Sequence, residues 1–157
     1  MQVDVKLINP FIEASIGVMQ MIAGTRLDIG KPSNKGHQFQ NNAILIKVGI
    51  VGELNGYVIL EINEESAKQI ASTMMCGMPV ETMDEMACSA ISELGNMIMG
   101  NAATVFSVSD ILIDITPPAI CKPQDISVDE ESASIKVPLE NNGTEYIVLN
   151  IIMSPNK

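Results

Sequence analysis

The sequence predicts an α+β fold with a mostly antiparallel sheet and one long helix. Three segments repeat apolar residues at the three- to four-residue spacing of an amphipathic helix. Four runs rich in Ile, Val and Leu flank two Asn-Gly pairs, Asn55-Gly56 and Asn142-Gly143, which suit the positive φ angles of tight hairpin turns. Because a hairpin joins antiparallel strands, we expect mostly antiparallel pairing.

The N-terminal part is predicted to hold a short strand, a helix and a loop. Residues 3–7 alternate apolar and polar side chains, which is typical of a strand. Asn9 then suits the N-cap of the first helix and Pro10 its first position, and the helix runs to about Ala23. Residues 30–42 are polar and rich in turn formers, so they are predicted to form a loop.

A hairpin and a second helix follow this loop. Residues 43–51 and 57–62 are predicted strands that pair across the first Asn-Gly turn. Asn63 suits the N-cap of the second helix, which is predicted to run to about Met75.

The long third helix carries the clearest periodic pattern. Thr82 and Glu85 have the spacing of a capping box, so the helix is predicted to begin there and to run to about Thr104. Apolar residues recur within it at steps of three and four, which predicts a buried seam. The seam consists of Ala87, Ile91, Leu94, Ile98 and Ala102.

The rest of the chain is predicted to be strands. Residues 111–115 form the first, and Pro117-Pro118 interrupts the chain before short strands near Ile120 and Ile126. The second hairpin covers residues 133–139 and 146–153 around the second Asn-Gly turn.

Length, charge and cysteine content limit the classes of function. A chain of 157 residues suits one domain spanning residues 1–157, since folding at this size removes roughly 70% of the unfolded surface from water. The formal net charge of −10 gives no electrostatic basis for binding nucleic acid or an anionic membrane. No segment resembles a signal peptide or a membrane span. Cys76, Cys88 and Cys121 are typical of buried thiols in a reducing compartment, so we expect a cytoplasmic protein.

A polar stripe lies opposite the apolar seam of the third helix. Ser89, Glu93 and Asn96 are three or four residues apart and share one helical face, which we expect to face solvent. Asn is a poor helix former, and Gly95 and Gly100 add a further cost near this face while opening room for another backbone. On spacing alone, an ordinary solvated surface is a simpler explanation of such a stripe than a functional site, because exposed faces normally carry Glu and Asn.

Covalent and metal-dependent chemistry by this chain alone is disfavoured. The sequence has no Gly-rich phosphate loop, no Gly-x-Ser-x-Gly and no His or Cys pair with metal-ligand spacing. His37, the only histidine, lies in the predicted polar loop, where a solvated residue is a simpler interpretation than a general base. We therefore expect no metal or cofactor in this chain.

The polar stripe is also the basis of a family resemblance. Ser89-x-x-x-Glu93-x-x-Asn96, followed by Gly100 and by Pro117 after a strand, resembles the signature of the CheC, CheX and FliY phosphatases of bacterial chemotaxis. The resemblance extends over nearly the whole chain. It implies a CheC-like α+β fold, pseudo-duplicated from two similar halves.

A weak internal repeat indicates how many sites to expect. Glu13 in the first helix matches Glu93 in the third, but Ile16 stands where Asn96 has its counterpart. CheC-type members carry a Glu-x-x-Asn motif on both helices. The departure at Ile16 therefore favours a CheX-like protein with a single site.

The resemblance implies a reaction and a partner. The substrate of the family is the phospho-aspartate of the response regulator CheY, whose receiver domain holds Mg²⁺ and a catalytic lysine. By this resemblance Asn96 orients the attacking water, Glu93 pairs with the receiver lysine, and Ser89 is an accessory contact at most. CheX-like members are homodimers, and an edge strand around Ile120 would be available for pairing between chains.

Two other functions stay open at this stage. The same acidic helix suits a noncatalytic module that docks on a receiver domain or a flagellar component. A small-ligand or structural domain is the third interpretation, and it requires that Glu93 and Asn96 be buried.

Overall fold

The computed structural model describes residues 4–34, 38–127 and 131–154, and in these residues three helices pack on one face of a seven-stranded antiparallel sheet. The chain forms no other α-helix in the described part. The elements are α1 (Val5–Ala23), β1 (Asp28–Ile29), β2 (Ala43–Gly52), β3 (Gly56–Asn63), α2 (Glu64–Met74), α3 (Glu85–Val108), β4 (Ile113–Ile115), β5 (Ala119–Cys121), β6 (Ala133–Asn141) and β7 (Thr144–Met153).

The sheet topology relates the two halves of the chain. The strand order is β1-β6-β7-β3-β2-β4, and β5 pairs with β2 beside β4. The two hairpins thus meet at the centre through β3 and β7, and each half sends its short strand across to the hairpin of the other half. This exchange confirms the predicted antiparallel sheet and the similar organisation of the halves, with α1 and α3 each preceding one set of strands.

The core lies between the helices and one sheet face. Alternate residues of the four long strands join the buried sides of all three helices in a single apolar cluster. Phe11 of α1 and Phe106 of α3 meet edge to face with ring centroids 5.2 Å apart. Burial of each large aliphatic side chain contributes about 1.5–3 kcal/mol, so this cluster is the main source of stability.

The predicted N-terminal strand is wrong where the structure describes it. The first helix begins at Val5 rather than after Asn9, and Asp4 is its N-cap, accepting a hydrogen bond of 2.9 Å from the Lys6 amide. Ile8 is buried and extends the apolar side of the helix by one turn, which the short alternating pattern concealed. Position 3 of that pattern lies outside the described residues.

Both predicted ends of the third helix are also corrected. Asp84, and not Thr82, is the N-cap of α3, and its carboxylate accepts a hydrogen bond of 2.9 Å from the Ala87 amide. The helix continues past Thr104 to Val108, because burial of Phe106 extends the apolar seam by a further turn. The whole predicted seam is confirmed as buried.

The connections between strands contain one further correction. The predicted strand near Ile126 is wrong, because Ile126 lies in no strand and directly follows a single turn of 3-10 helix at Pro123–Asp125. Pro123 lacks an amide hydrogen that a strand would use. The described parts of the predicted loop over residues 30–42 contain no helix or strand, and their one β-type pairing is an isolated bridge from Ser33 to Lys136. His37 lies outside the described residues.

The sheet face opposite the helices carries a buried ionic network. Glu61 on β3 accepts a hydrogen bond from Lys136 on β6 at 3.0 Å and from the Gln40 amide at 2.8 Å. Lys136 also lies over the Phe39 ring, with the ammonium 5.0 Å from the ring centroid. These contacts hold residues 38–40 against the sheet.

No helix in the described residues is both long enough and apolar enough to cross a bilayer.

Gly56, the first residue of β3, and Gly143, in the turn between β6 and β7, allow a matched test of the hairpin geometry. Gly56 has φ 157°, and a Cβ at this position would clash with the backbone oxygen of Ile152 in β7. We expect Gly56→Ala to lower the free energy of unfolding by more than about 2 kcal/mol. Gly143 also has a positive φ, 81°, but its Cβ position is open, so Gly143→Ala should cost only about 1 kcal/mol. Urea denaturation measures both, and equal losses would contradict the steric argument.

Candidate active site

The polar stripe of α3 faces solvent, as predicted. Ser89, Glu93 and Asn96 are all exposed, whereas the apolar seam on the other side of the helix is fully buried. The Asp84 cap fixes the start of the helix, and the seam fixes its rotation about its own axis. The three side chains are therefore held on one face by the packing of the seam.

A groove runs along this stripe. Its floor and one wall come from α3, and its other wall comes from the segment containing β4, β5 and their connection. We call it the α3 groove; it is open to solvent and has a volume of about 660 Å³. It is lined by Glu85, Cys88, Ser89, Ser92, Glu93, Asn96, Ile115, Thr116, Pro117, Pro118 and Ile120.

Gly95 serves the packing of the helix rather than the approach of a partner. It is buried, and a Cβ at this position would lie 3.0 Å from Cγ2 of Ile46 on β2 and 3.8 Å from Cβ of Pro118. The absence of a side chain lets α3 approach the sheet closely at the level of the groove. The expectation that Gly95 opens room for another backbone is thus corrected, whereas a Cβ at Gly100 would meet open space.

Between β4 and β5, which both pair with β2, the connecting segment of the opposite wall is joined to β2 at one residue pair. The Gly49 amide donates a hydrogen bond of 2.8 Å to Oγ1 of Thr116, and the Thr116 amide donates one of 3.0 Å to the Gly49 carbonyl oxygen. Pro117 and Pro118 follow directly and lack amide hydrogens of their own. Thr116 therefore anchors the stretch of chain that faces Asn96 across the groove.

The chemical groups of the groove are acidic or neutral. Glu85 and Glu93 supply carboxylates, and no Lys, Arg or His is among the described residues that line it. Neither Glu93 nor Asn96 makes a side-chain hydrogen bond or ion pair within the described part of the chain. Both side chains are therefore available to a partner.

Cys88 at the edge of the groove is not a nucleophile at neutral pH. Burial, and secondarily the nearby Asp84 carboxylate, raise the pKa of its thiol above the ordinary value. The thiol therefore stays protonated, and the protonated form is a poor nucleophile. Elsewhere in the described residues, no three His, Cys, Asp or Glu side chains converge as ligands for a metal ion.

The equivalent face of α1 lacks the same pair of groups. Glu13 is exposed, as Glu93 is, but Ile16 is half-buried and packs against the core. Its side chain offers neither a donor nor an acceptor. An exposed carboxylate and an exposed amide with Glu-x-x-Asn spacing therefore lie together on α3 but not on α1, within the described residues.

Several groove residues were not identified from the sequence. Glu85 lies two turns before Glu93 and continues the polar stripe. Its spacing could have identified it, but it was interpreted as part of a capping box with Thr82. Thr116 and Pro118 are distant in sequence from the helix, and only the pairing of β4 and β5 with β2 brings them to the groove.

Known proteins share both the sequence and the fold. The model of a family described as chemotaxis phosphatase CheX matches residues 44–140. A Thermotoga maritima protein named CheY-P phosphatase CheX is 31% identical over 136 residues, which cover 87% of this chain and 88% of that protein.

Solved structures agree with this assignment. The CheX chain in a CheX–CheY–BeF3–Mg²⁺ complex from Borrelia burgdorferi is 26% identical, with a TM-score of 0.77 over 94% of this chain and 97% of that one. A CheC-like protein from Shewanella sp. PV-4 shares the fold at 23% identity, with a TM-score of 0.85 over 98% of this chain and all of that one. The matched family model and the extent of the Thermotoga similarity show that this chain belongs to the CheX family of chemotaxis phosphatases.

Proposed function

We propose that the α3 groove binds a phosphorylated CheY-type receiver domain and promotes hydrolysis of its phospho-aspartate. The observation that carries the proposal is the pair Glu93 and Asn96, exposed side by side in a groove and without partners in the described part of the chain. Unpaired polar groups that are held rigidly on a packed helix suit recognition of a second protein's active site.

Asn96 suits the positioning of the attacking water. Its amide both donates and accepts hydrogen bonds, so it can hold a water molecule in line with the phosphorus atom. Being uncharged, it does not repel the phosphoryl oxygens. Phosphoryl transfer depends mainly on such positioning and on neutralisation of charge.

The neutralising charge has to come from the partner. Because the described lining of the α3 groove contains no cationic side chain, it cannot neutralise the negative charge of the phosphoryl group. A receiver that carries its own Mg²⁺ and lysine supplies both cations. Glu93 then pairs with the receiver lysine and fixes the docked geometry, while Ser89 contributes an accessory contact.

The relatives support this partner and this chemistry. The Thermotoga protein is named for the CheY-P substrate, and the Borrelia structure contains CheX together with CheY and Mg²⁺. A noncatalytic docking module would use the same groove, but it would leave the lifetime of the phosphorylated receiver unchanged. The lifetime of the phosphorylated receiver therefore distinguishes the two functions.

Three further properties belong to the same proposal. Residues 1–157 act as one domain with one site, because the described part of both halves contributes to one sheet and one core cluster. The protein acts in the cytoplasm, where its three unpaired cysteines stay reduced. The expectation that these thiols are buried is wrong, because Cys76 is exposed and Cys88 and Cys121 are half-buried. It forms a homodimer through the outer edge of β5, which has no strand partner in the described chain and exposes 39% of Ile120.

Asn96→Ala tests the role of the positioned amide. We expect the catalysed dephosphorylation rate of a phosphorylated CheY to fall about 10²-fold or more, the effect of removing one positioned polar group from an active site. Asn101→Ala is the matched control, because Asn101 is also exposed on α3 but lines the groove between α1 and α3 instead. Stopped-flow fluorescence of the receiver measures the rates. Activity of Asn96→Ala at the wild-type level would overturn the assigned role, and a wild-type protein that binds without shortening the lifetime would favour a docking module.

Glu93→Ala tests docking and the number of sites together. Loss of the carboxylate should raise KM for the phosphorylated receiver with little change in Tm, because exposed side chains usually alter stability by less than about 0.5 kcal/mol. Glu13→Ala removes the equivalent carboxylate of α1 and should leave both constants unchanged. A comparable rise in KM for Glu13→Ala would indicate a second site. A large drop in Tm for Glu93→Ala would point to a structural role.

Ile120→Lys tests the proposed dimer. A charged side chain in the middle of β5 disfavours edge-to-edge pairing, so the mass in light scattering should fall from twice the chain mass to the 16.9 kDa of one chain. Val108→Lys introduces the same charge at a side chain that is 82% exposed near the end of α3 and should stay dimeric. A wild-type protein that is monomeric, or a dimer unaffected by Ile120→Lys, would contradict the proposal.

A further inference from the structure

Between β4 and β5, the wall of the α3 groove opposite Asn96 contacts β2 through a single residue pair. Thr116 exchanges two hydrogen bonds with Gly49, one through its side-chain oxygen at 2.8 Å and one through its own amide at 3.0 Å. Ladder pairing with β2 stops at Ile115 and resumes at Ala119. The Thr116–Gly49 pair thus bridges the gap between the two short strands.

The contact with Thr116 requires a residue without a side chain at position 49. A Cβ at position 49 would lie 2.7 Å from Oγ1 of Thr116, closer than real Cβ contacts, and 3.0 Å from its Cγ2, which is tighter than most of them. The backbone of Gly49 is not in the left-handed region, so conformation alone would permit any residue. Glycine weakens the interior of a strand, and its presence here is explained by the close approach of Thr116.

The pair controls the position of two rigid residues. Pro117 and Pro118 follow Thr116, line the groove and have no amide with which to bond to β2. On its far side Pro118 approaches α3, with 3.8 Å between its Cβ and the Cβ position of Gly95. Together with the pairing of β4 and β5 to β2, the Thr116–Gly49 pair therefore helps to hold this wall beside the helix at Gly95.

We propose that Thr116 is a positioning residue whose hydrogen bonds to Gly49 set the width of the α3 groove and thereby the seating of the receiver. The proposal rests on the proposed function, because it assigns a determinant of the same docking site. Thr116 acts through the position of Pro117 and Pro118. Its loss should therefore weaken docking, whereas loss of Asn96 should slow the chemical step.

Thr116→Val removes the acceptor while keeping the shape of the side chain. The Gly49 amide then loses its partner, and we expect KM for the phosphorylated receiver to rise about fivefold, the effect of one ordinary hydrogen bond, with kcat nearly unchanged. Thr116→Ser keeps the hydroxyl and should restore a near wild-type KM. A lower Tm with an unchanged KM, measured well below Tm, would show that the pair serves stability alone and would overturn the proposal.

Gly49→Ala tests whether the two residues act as a unit. The added Cβ should displace Thr116 and raise KM, and adding it to Thr116→Ala should have little further effect because the clash is then gone. Additive effects of the two substitutions would contradict the proposed coupling.

Wild type and Asn96→Ala are measured alongside these variants. If the wild-type protein does not shorten the lifetime of the phosphorylated receiver, the proposed function fails. If wild type is active, Asn96→Ala is slow and Thr116→Val retains the wild-type KM, only the role of Thr116 fails.

Discussion

The close approach of α3 to the sheet at Gly95 is the constraint on which the site depends. Ile46 of β2 lies only 3.0 Å from where a Cβ of residue 95 would stand, so a larger residue would fit only if Ile46 or the helix shifted. The buried seam then leaves only one rotation for the helix, and that rotation turns Glu93 and Asn96 outward. A bulkier residue at position 95 would move the helix and both exposed side chains together.

The site also concentrates the local choices that stability alone would not favour. Asn96 is a poor helix former on an exposed face, Gly49 weakens the middle of a strand, and Glu93 has no ionic partner in the described chain. In contrast to Glu93, the buried Glu61 on the other face of the sheet has an ionic partner, Lys136, at 3.0 Å. Such departures are not confined to the groove, since the buried Asn150 beside Glu61 has no partner for its Oδ1 in the described chain. Those at the groove are of the kind expected where function constrains the sequence.

The parts of the structure that sequence could predict are those that depend on near neighbours in the chain. Apolar periodicity predicted the seam of α3, and the Asn-Gly pairs predicted both hairpins, because each pattern is set within a few residues. The helix ends were missed where two candidates competed, as with Thr82 and Asp84, since only the folded geometry decides which side chain reaches the free amide. The second wall of the groove was unpredictable for a different reason: Thr116 meets Gly49 through strand pairing across 67 residues.

The equivalent helices of the two halves, α1 and α3, differ at the position of Asn96. Ile16 of α1 is half-buried against the core at the position that corresponds to Asn96, so α1 gains apolar contact where α3 exposes an amide. Phe11 and Phe106 join the two helices directly, and α1 therefore supports the helix that carries the stripe. The apolar residue of α1 therefore adds to the packing that holds α3 and its exposed polar stripe in place.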